Sequence, residues 1–380
     1  MVESIGLLGG GQLGKMFAQA ATRLGFEVVV FSPEPNCPAA QASTEHICAE
    51  YTDTEALREF ATKVQVVTYE FENIPVTAFE SLEPFVPVYP PKEAQRVCQN
   101  RLREKEYFSS LGIPVARYWP IETENDLKNA CLVGVFPSIL KTCESGYDGK
   151  GQREVREPNS LESEWKTLGC KPCVLEEKVK LTSECSVIVA RGRDGEIQLF
   201  GPFDNVHRNH ILYQSTFPSA LERTLVSEAL QAAEKIASKL AYVGVLCVEF
   251  FVTGDGKLLA NEMAPRPHNS GHLTIEAFGI SQFEAQVRSV SQLPLGRNYP
   301  RAGAAIMTNI LGEDIPDREG LVSKLMLEPN TFLHLYGKKE PRTGRKMGHF
   351  TVLGEDLNEV KERVRKITKE LWNASSGEGD

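Results

Sequence analysis

Two glutamates placed on either side of a tight-turn dipeptide constrain this chain more than any other feature. The segment reads Glu249-Phe-Phe-Val-Thr-Gly-Asp-Gly-Lys-Leu-Leu-Ala-Asn-Glu262, and its Asp255-Gly256 favours a two-residue hairpin turn. That turn would set Glu249 directly opposite Glu262, with Cβ atoms roughly 4.5–5.5 Å apart. Facing carboxylates repel, and a hard divalent cation such as Mg2+ would neutralise them. The alternatives are a solvated edge strand with two isolated acids, or a β-bulge that breaks this register.

Composition limits the class of protein. The chain has 380 residues, of which 41% are hydrophobic and 24% are charged, and this length predicts two or three domains. It contains no apolar run of membrane-spanning length and no signal-peptide layout, and its nine cysteines are scattered. These features predict a reduced, cytoplasmic protein without a membrane partner. The net charge of −9 argues against nucleic acid as a partner, but not against small anions.

The order of predicted elements indicates the fold class. Residues 1–90 alternate strands with helices, which is typical of a parallel sheet covered by helices on both faces. Residues 124–179 read as a compact α+β unit of about the size of a mobile lid. From about residue 295, further strands and a final helix at Leu357–Trp372 predict a small C-terminal unit. The sequence therefore predicts an α/β and α+β multidomain protein.

The first glycine-rich loop follows a short apolar strand and opens a helix. Gly9, Gly11 and Gly14 satisfy the G-x-G-x-x-G pattern, which lets a backbone approach a phosphate at a helix N-terminus. A dinucleotide site usually has an acidic residue at the end of the second strand, where this chain has Ser32. The loop therefore favours a phosphate-bearing substrate over NAD or FAD, with a tight structural turn as the alternative.

The second glycine-rich loop spans Lys141–Gln152 between two predicted strands. It lacks the order of a P-loop, but a glycine-rich hairpin entered by a lysine can fold over a triphosphate. An ordinary surface loop is the alternative interpretation.

Several further motifs carry a resemblance to a known family. Besides the two glycine loops, the chain contains Thr68-Tyr-Glu-Phe-Glu-Asn73, Asn100-Arg-Leu, Val248-Glu-Phe-Phe, Asn261-Glu-Met-Ala-Pro-Arg-Pro-His-Asn-Ser-Gly-His272 and Gly344-Arg-Lys-Met-Gly-His349. In this order they resemble the ATP-grasp superfamily, and within it the N5-carboxyaminoimidazole ribonucleotide synthetases, over nearly the whole chain. The resemblance implies a Rossmann-like parallel α/β domain at 1–96, an ATP-grasp body at 97–294 with a mobile lid at about 122–182, and a small C-terminal domain at 295–380.

The resemblance also implies an activity and its ligands. The family uses ATP and bicarbonate to carboxylate 5-aminoimidazole ribonucleotide through carboxyphosphate, with release of ADP and phosphate, in purine biosynthesis. It implies one or two Mg2+ ions, with Mn2+ as a possible substitute, small-molecule partners only, and a homodimer. By motif match, Glu249 and Glu262 would hold the metal. The residues matched to ATP binding are Arg101, Lys141, Gly146, Tyr147, Asp148, Gly149, Lys150, Gly151, Gln152, Glu176, Glu177, Lys178, Val179, Glu184, His207, Asn261 and Glu262.

A second set of matched positions concerns the other substrates. The residues matched to catalysis are Tyr147, Asp148, Arg266, His268 and Lys346, and those matched to the ribonucleotide are Gly11, Gln12, Glu72, Arg345 and Lys346. We expect Asp148 to position the exocyclic amine, and Arg266 with His268 to bind bicarbonate or carboxyphosphate. Strict alternation points Asn261 away from the face of Glu249, so its role requires a bent strand end. Ser145 departs from the usual glycine of the lid loop.

Other functions remain open at this stage. Biotin carboxylase and the formate-dependent glycinamide ribonucleotide transformylase share the fold and the metal pair. A Rossmann NAD-dependent oxidoreductase would bind a nicotinamide cofactor and is disfavoured by Ser32. A non-catalytic nucleotide-binding regulator would be expected to lose a metal carboxylate or Lys141, and this chain has both.

Overall fold

The chain begins with a parallel sheet whose strands alternate with helices, as predicted. The computed structural model describes residues 2–144, 151–315 and 318–372. The first elements are β1 (Ser4–Leu8), α1 (Gln12–Arg23), β2 (Glu27–Phe31), β3 (Glu45–Ile47), α2 (Thr54–Lys63), β4 (Val66–Tyr69) and α3 (Val76–Leu82). The strand order is β3-β2-β1-β4, with every pair parallel. The glycine loop after β1 therefore lies at the carboxyl edge of the sheet, where α/β folds hold ligands.

Two helices and a small antiparallel sheet follow. These elements are α4 (Lys92–Cys98), α5 (Arg101–Ser110), β5 (Tyr118–Ile121), α6 (Glu124–Val133), β6 (Ser138–Thr142), β7 (Gln152–Val155), α7 (Leu161–Thr167) and β8 (Cys173–Glu177). α4 and α5 are separate helices, because the Asn100 side chain accepts the N–H groups of Leu102 and Arg103 and starts a new helix. The sheet order β5-β8-β6-β7 gives the predicted lid its own core.

The largest sheet forms the body of the molecule. Its elements are β9 (Leu181–Arg191), β10 (Ile197–Arg208), β11 (Ile211–Phe217), α8 (Arg223–Lys239), β12 (Gly244–Thr253), β13 (Leu258–Ala264), α9 (Thr274–Ala277), α10 (Gln282–Val290), β14 (Ala304–Leu311), α11 (Arg318–Leu327), β15 (Thr331–Leu335), β16 (Lys346–Gly354) and α12 (Leu357–Trp372). Its strand order is β13-β12-β9-β10-β11-β14-β16-β15. Short 3-10 helices lie at Ala39–Gln41, Pro158–Ser160, Asn269–Gly271 and Gly312–Asp314.

The C-terminal strands continue the body sheet. β14 pairs with β11 in antiparallel register, Gln214 opposite Thr308, and β16 then pairs with β14. The boundary expected at residue 294 thus falls between two strands of one sheet, and the expected domain limits stay predictions. Among the described helices, none combines the length and the apolar composition needed to cross a bilayer.

The hairpin of β12 and β13 contains a correction to the predicted turn. The Thr253 N–H donates to the Lys257 carbonyl oxygen at 2.9 Å, which closes a three-residue loop instead of the two-residue turn. This alone would shift the register by one residue. However, β13 holds one extra residue, Asn261, between the pairs Phe250–Ala260 and Glu249–Glu262. The predicted pairing of Glu249 with Glu262 is confirmed, because the β-bulge offsets the longer turn.

We predict that Asn309→Leu destabilises the protein, because Asn309 joins β14 to the loop that follows β13. Its amide group donates to the Leu212 carbonyl at 2.8 Å and exchanges hydrogen bonds with Asn269 at 2.6 and 3.0 Å, all buried. Leucine would leave these partners unsatisfied, at about 2–4 kcal/mol in the free energy of unfolding. Urea denaturation measures the change. Thr351→Val is the matched control, because the Thr351 hydroxyl is buried without a partner among the described residues, and it should change stability little.

Candidate active site

The carboxylate pair lies at the bulge of the hairpin. Two residues of the bulged strand, Asn261 and Glu262, share the position opposite Glu249. This is the bent strand end that the expected role of Asn261 requires. The side chain of Glu249 is 12% exposed, whereas Glu262 is exposed. The pair is therefore reachable from solvent on the side of Glu262.

Histidine and lysine side chains surround Glu249. His268 places Nε2 3.0 Å from Glu249 Oε1. Although burial by itself would raise the pKa of Glu249, His268 and then the charges of His207 and Lys346 hold that pKa at about 2. Glu249 is therefore ionised at neutral pH. In contrast, the loss of hydration around its carboxylate, and then repulsion from Glu249, raise the pKa of Glu262.

His268 is held by the loop that follows β13. Its Nδ1 accepts the Ser270 N–H at 3.3 Å and lies 2.9 Å from the Ser270 hydroxyl oxygen. Its backbone N–H donates to Gln282 Oε1 at 2.8 Å, and its carbonyl accepts from Gln282 Nε2 at 2.6 Å. These contacts aim the remaining ring nitrogen at Glu249. These contacts form a tight turn around His268, and its expected role in catalysis stays a prediction.

Two cations border the other side of the carboxylate pair. Arg101 donates from Nη1 to the Thr142 carbonyl at 2.8 Å, next to the end of β6. Lys141 Nζ lies 3.1 Å from Glu176 Oε2, and the buried Lys105 lies at the same distance from this oxygen. Arg101 and Lys141 both act to lower the pKa of Glu262. Both cations are therefore within electrostatic range of Glu262.

Part of the predicted lid loop lies outside the described residues. These are Gly146, Tyr147, Asp148, Gly149 and Lys150, together with Ser145. The end of the loop is described: Gln152 pairs with Lys141, and the Gly151 carbonyl accepts the Thr142 N–H at 2.9 Å. The loop therefore starts and ends beside Lys141.

The segment Glu176–Val179, matched to ATP binding, lies at the end of β8 of the lid and before β9 of the body. The backbone N–H groups of Glu177 and Lys178 donate to the carbonyls of Arg117 and Pro137. Within the described chain, the next amide, that of Val179, has no hydrogen-bond partner, so it is available to a ligand.

Four other side chains matched to ATP binding form ion pairs in the structure. Lys178 forms an ion pair with Glu154 at 3.0 Å, and Glu177 forms one with Arg117 at 2.7 Å. Across the body, Glu184 Oε2 lies 3.0 Å from Nδ1 of His207, and both side chains are partly exposed. These partly exposed groups can exchange their partners for a ligand.

The glycine loop of the first sheet is already occupied by an internal carboxyl group. Glu70 accepts the N–H of Gly11 at 2.7 Å and that of Gly14 at 3.3 Å, at the start of α1. A Cβ on Gly11 would lie 2.8 Å from Glu70 Oε1, so the loop needs glycine to admit this carboxylate. Glu70 thus takes two donors that the sequence analysis assigned to a phosphate. The contacts expected of Gly11 and of Gln12, the first residue of α1, with a ribonucleotide stay predictions.

The remaining predicted residues connect the first domain with the body and the C-terminal strands. Arg266 donates to Glu72 in a salt bridge, and, against the effect of burial, Arg266 lowers the pKa of Glu72. Lys346 starts β16 and acts on the pKa of Glu249. Arg345 donates to the Glu340 carbonyl at 2.9 Å. The structure therefore places Lys346 within electrostatic range of Glu249, and Arg266 in contact with Glu72.

Three family models together cover most of the chain. A ribonucleotide synthetase preATP-grasp domain matches residues 2–99, an ATP-grasp domain matches 106–283, and a phosphoribosylaminoimidazole carboxylase C-terminal domain matches 305–363. The N5-carboxyaminoimidazole ribonucleotide synthase of Brucella melitensis is 44% identical over 351 residues, covering 92% of this chain and 96% of that protein. The chain belongs to this synthase family. It is an ATP-grasp ligase.

Solved structures of the family agree in fold over the whole length. The ADP complex of an N5-carboxyaminoimidazole ribonucleotide synthetase has a TM-score of 0.92 and 38% identity, covering 99% of this chain and 98% of its own. The Aspergillus clavatus synthase, in complex with ADP and 5-aminoimidazole ribonucleotide, has a TM-score of 0.88 and 30% identity, covering 98% and 99%. Membership of the synthase family decides against the oxidoreductase, the regulator and the two other ATP-grasp ligases considered from the sequence.

Three charged residues of this synthase were missed by the sequence analysis. Glu104 is buried and accepts the Met263 N–H at 2.7 Å, which fixes the backbone next to Glu262. Burial, followed by repulsion from Glu262, raises the pKa of Glu104 to about 8. Its only sequence signal is its place one turn after the Asn100-Arg-Leu motif. The second missed residue is Glu70, whose contacts with the glycine loop are described above.

Lys338 is the third missed residue. Its Nζ donates to the Lys346 carbonyl at 2.8 Å. Burial, and then the nearby charge of Arg345, lower the pKa of Lys338 to about 8. Lys338, Arg345 and Lys346 thus form a cationic group, named here the C-terminal cation cluster. No motif marks Lys338, because it lies eight residues before Lys346 in an irregular segment.

We predict that Glu70→Gln flattens the pH dependence of stability of this synthase. Burial raises the pKa of Glu70 to about 7 from the ordinary 4.5. The folded chain therefore holds this proton more tightly than the unfolded chain. The resulting stabilisation is complete below about pH 4.5 and is lost as the pH rises through about 7, on the order of 3 kcal/mol. Urea denaturation at about pH 5 and about pH 8 measures this loss in the wild type and in Glu70→Gln, which should lose less.

The exposed Glu80 supplies the control. Glu80→Gln should lose as much stability as the wild type between the two pH values, because Glu80 is exposed on α3. A Glu70→Gln variant that loses as much as the wild type would contradict the role assigned to the Glu70 proton.

Proposed function

We propose that this chain carboxylates 5-aminoimidazole ribonucleotide on its exocyclic amine, using ATP and bicarbonate and releasing ADP and phosphate, in purine biosynthesis. The proposal rests on one observation: Glu249 lies opposite Glu262 across the hairpin, and His268 Nε2 lies 3.0 Å from Glu249 Oε1. Arg101 and Lys141 lie close enough to lower the pKa of Glu262. Phosphoryl transfer from ATP needs this combination of metal carboxylates and cations, because it depends on positioning and charge neutralisation.

The carboxylate pair suits a hard cation. Glu249 is ionised, and its repulsion raises the pKa of Glu262, so that an ion would remove an unfavourable interaction. Carboxylate oxygens are the ligands that Mg2+ prefers. Glu249 and Glu262, joined by Asn261, would hold one or two Mg2+ ions, or Mn2+, which would neutralise charge on the phosphates.

The nucleotide would lie between the lid and the body. The free amide of Val179, after Glu176, Glu177 and Lys178, would read adenine, and Glu184 with His207 would bind the ribose hydroxyls. Arg101 and Lys141 would contact the phosphates. The lid loop, Gly146 to Gln152, would cover the phosphates with its backbone N–H groups.

Arg266 and His268 would bind bicarbonate. A bicarbonate oxygen attacks the γ-phosphorus of ATP, and ADP leaves, which yields carboxyphosphate. Carboxyphosphate then breaks into CO2 and phosphate next to the amine, and the amine nitrogen forms the new N–C bond and gives its proton to Asp148 or to the released phosphate. The guanidinium of Arg266 suits a planar oxyanion, and Glu72 fixes its orientation. Asp148 would position or deprotonate the amine, with Tyr147 and Lys346 at the same reaction centre.

The ribonucleotide would bind between the first sheet and the C-terminal strands. We assign its phosphate to the C-terminal cation cluster, where Lys338 joins Arg345 and Lys346. Gly11, Gln12 and Glu72 would contact the rest of the molecule.

We further propose a cytoplasmic homodimer. The resemblance to the family implies the dimer, and the scattered cysteines, all free among the described residues, support a reducing compartment. Sedimentation at micromolar concentration tests the assembly, because a monomer throughout would exclude it.

An assay of ADP release tests the reaction directly. ADP production is measured with 5-aminoimidazole ribonucleotide, ATP and Mg2+, in the presence and absence of bicarbonate. The proposal requires release that depends on both substrates. Equal ADP release without bicarbonate, or dependence on formate in its place, would overturn it.

We predict that Glu262→Gln abolishes metal-dependent turnover with little change in fold. Glutamine keeps the shape of the side chain but removes one negative ligand, so kcat should fall by at least about 100-fold. Asp255→Asn is the matched control, since Asp255 is an exposed carboxylate at the tip of the same hairpin, and it should keep wild-type kcat. Full activity in Glu262→Gln would show that the metal assignment is wrong.

We predict that Lys338→Ala raises KM for the ribonucleotide and leaves KM for ATP unchanged. Loss of one charged hydrogen bond to a phosphate corresponds to about 1.5–3 kcal/mol, or roughly 10–100-fold in KM. Lys339→Ala is the control, because Lys339 is the exposed neighbour. An equal effect of both variants, or an effect on KM for ATP, would contradict the assignment of Lys338.

A further inference from the structure

A thiol completes a second set of metal ligands beside the carboxylate pair. The ligand atoms of Cys247, Glu249 and His268 all lie within 4.8 Å of one another, and this is the one such group of three among the described residues. Cys247 is fully buried, while the side chains of Glu249 and His268 are 12% and 16% exposed. The group is therefore open to solvent on the side of Glu249 and His268.

Strand geometry brings the three ligands together. Cys247 and Glu249 are two residues apart on β12, so their side chains lie on one face of the sheet. His268 approaches this face from the loop after β13 and places Nε2 3.0 Å from Glu249 Oε1. Two ligand atoms at about 2.1 Å from one tetrahedral ion are about 3.4 Å apart, so Nε2 and Oε1 would need to separate by only about 0.4 Å to admit the ion.

Ser270 supports two of the three ligands. Its hydroxyl oxygen lies 2.9 Å from Nδ1 of His268 and 3.9 Å from Sγ of Cys247. In the structure Nδ1 accepts the Ser270 N–H at 3.3 Å. When Nε2 binds an ion, the proton moves to Nδ1, which then donates to the Ser270 hydroxyl oxygen, as metal-binding histidines commonly donate to an outer partner. Ser186 and Asn205 continue the buried hydrogen-bond chain at 2.7 and 2.9 Å. The orienting partner that a histidine ligand needs is thus already present.

The donor atoms differ from those of the proposed magnesium site. A thiolate and an imidazole favour Zn2+ and similar transition ions, whereas Mg2+ prefers oxygen atoms alone. A thiolate from Cys247 and a carboxylate from Glu249 carry two negative charges, which match one divalent cation. His268 would add a neutral third ligand, and the open side leaves a position for water.

We propose that Cys247, Glu249 and His268 form a site for a thiophilic divalent cation such as Zn2+. On binding, the Cys247 thiol releases its proton to solvent and the Cys247 sulfur coordinates the ion. No oxidation or reduction is involved. The inference goes beyond the carboxylation reaction, and it stands or falls on metal binding alone.

Cobalt provides the direct test. Full-length wild type without nucleotide is titrated with Co2+, and the thiolate-to-cobalt charge-transfer absorption is recorded; Zn2+ should then displace Co2+ and remove the band. Cys247→Ala should lose the band. Cys185→Ala is the matched control, because Cys185 is a buried thiol on the neighbouring strand outside the group, and it should keep the band.

Zn2+ affinity supplies a second measurement. Competition with a chromophoric chelator should give at least about tenfold weaker Zn2+ binding in Cys247→Ala, since loss of even an outer-shell partner weakens metal binding by 10–100-fold. His268→Ala, which does not alter the buried thiol, should weaken binding by a similar factor while it keeps the cobalt–thiolate band. Absence of the band in wild type, its persistence in Cys247→Ala, or unchanged Zn2+ affinity in His268→Ala would each overturn the proposal.

Discussion

Repulsion between the carboxylates of Glu249 and Glu262 is the interaction on which the rest of the cleft depends. The β-bulge at Asn261 fixes the two side chains opposite each other. A histidine and two cations lie around them. His268 lies on the side of Glu249, and Arg101 and Lys141 act on Glu262. A magnesium-bound polyphosphate would bring in both the cation that separates the carboxylates and the anion that engages these donors.

Much of the fold could be predicted because its signals are local. Apolar patterns predicted the alternation of strands and helices in residues 1–90 and the final helix, whose predicted bounds, Leu357–Trp372, are those of α12. The hairpin shows the limit: the turn was predicted one residue too short, and the bulge at Asn261 restored the pairing. A bulge has no signature in sequence alternation, because it depends on how two strands fit the rest of the sheet.

The site could be predicted where a motif marks it, and not where it depends on distant partners. The carboxylate pair and the Arg266–His268 segment stand in recognisable runs of sequence. In contrast, Glu70 acts on Gly11 across 59 positions, and Glu104 acts on Met263 across 159. Each is an ordinary acid in its own segment and acquires a role only through burial next to a backbone N–H. The glycine loop was therefore assigned an external phosphate, although two of its donors hold Glu70.

The shared sheet limits how this enzyme can be altered by exchange of its parts. Because β14 continues the hydrogen-bond ladder of β11, removal of the C-terminal fifth, from β14 onward, would uncover a long row of unpaired backbone groups, which promotes association between chains. The same ladder connects Lys346, through β16, β14, β11, β10 and β9, to the strand of Glu249. A chimaera with altered recognition of the second substrate would therefore need a donor whose strands keep this register, and grafting of individual side chains is the more promising engineering route.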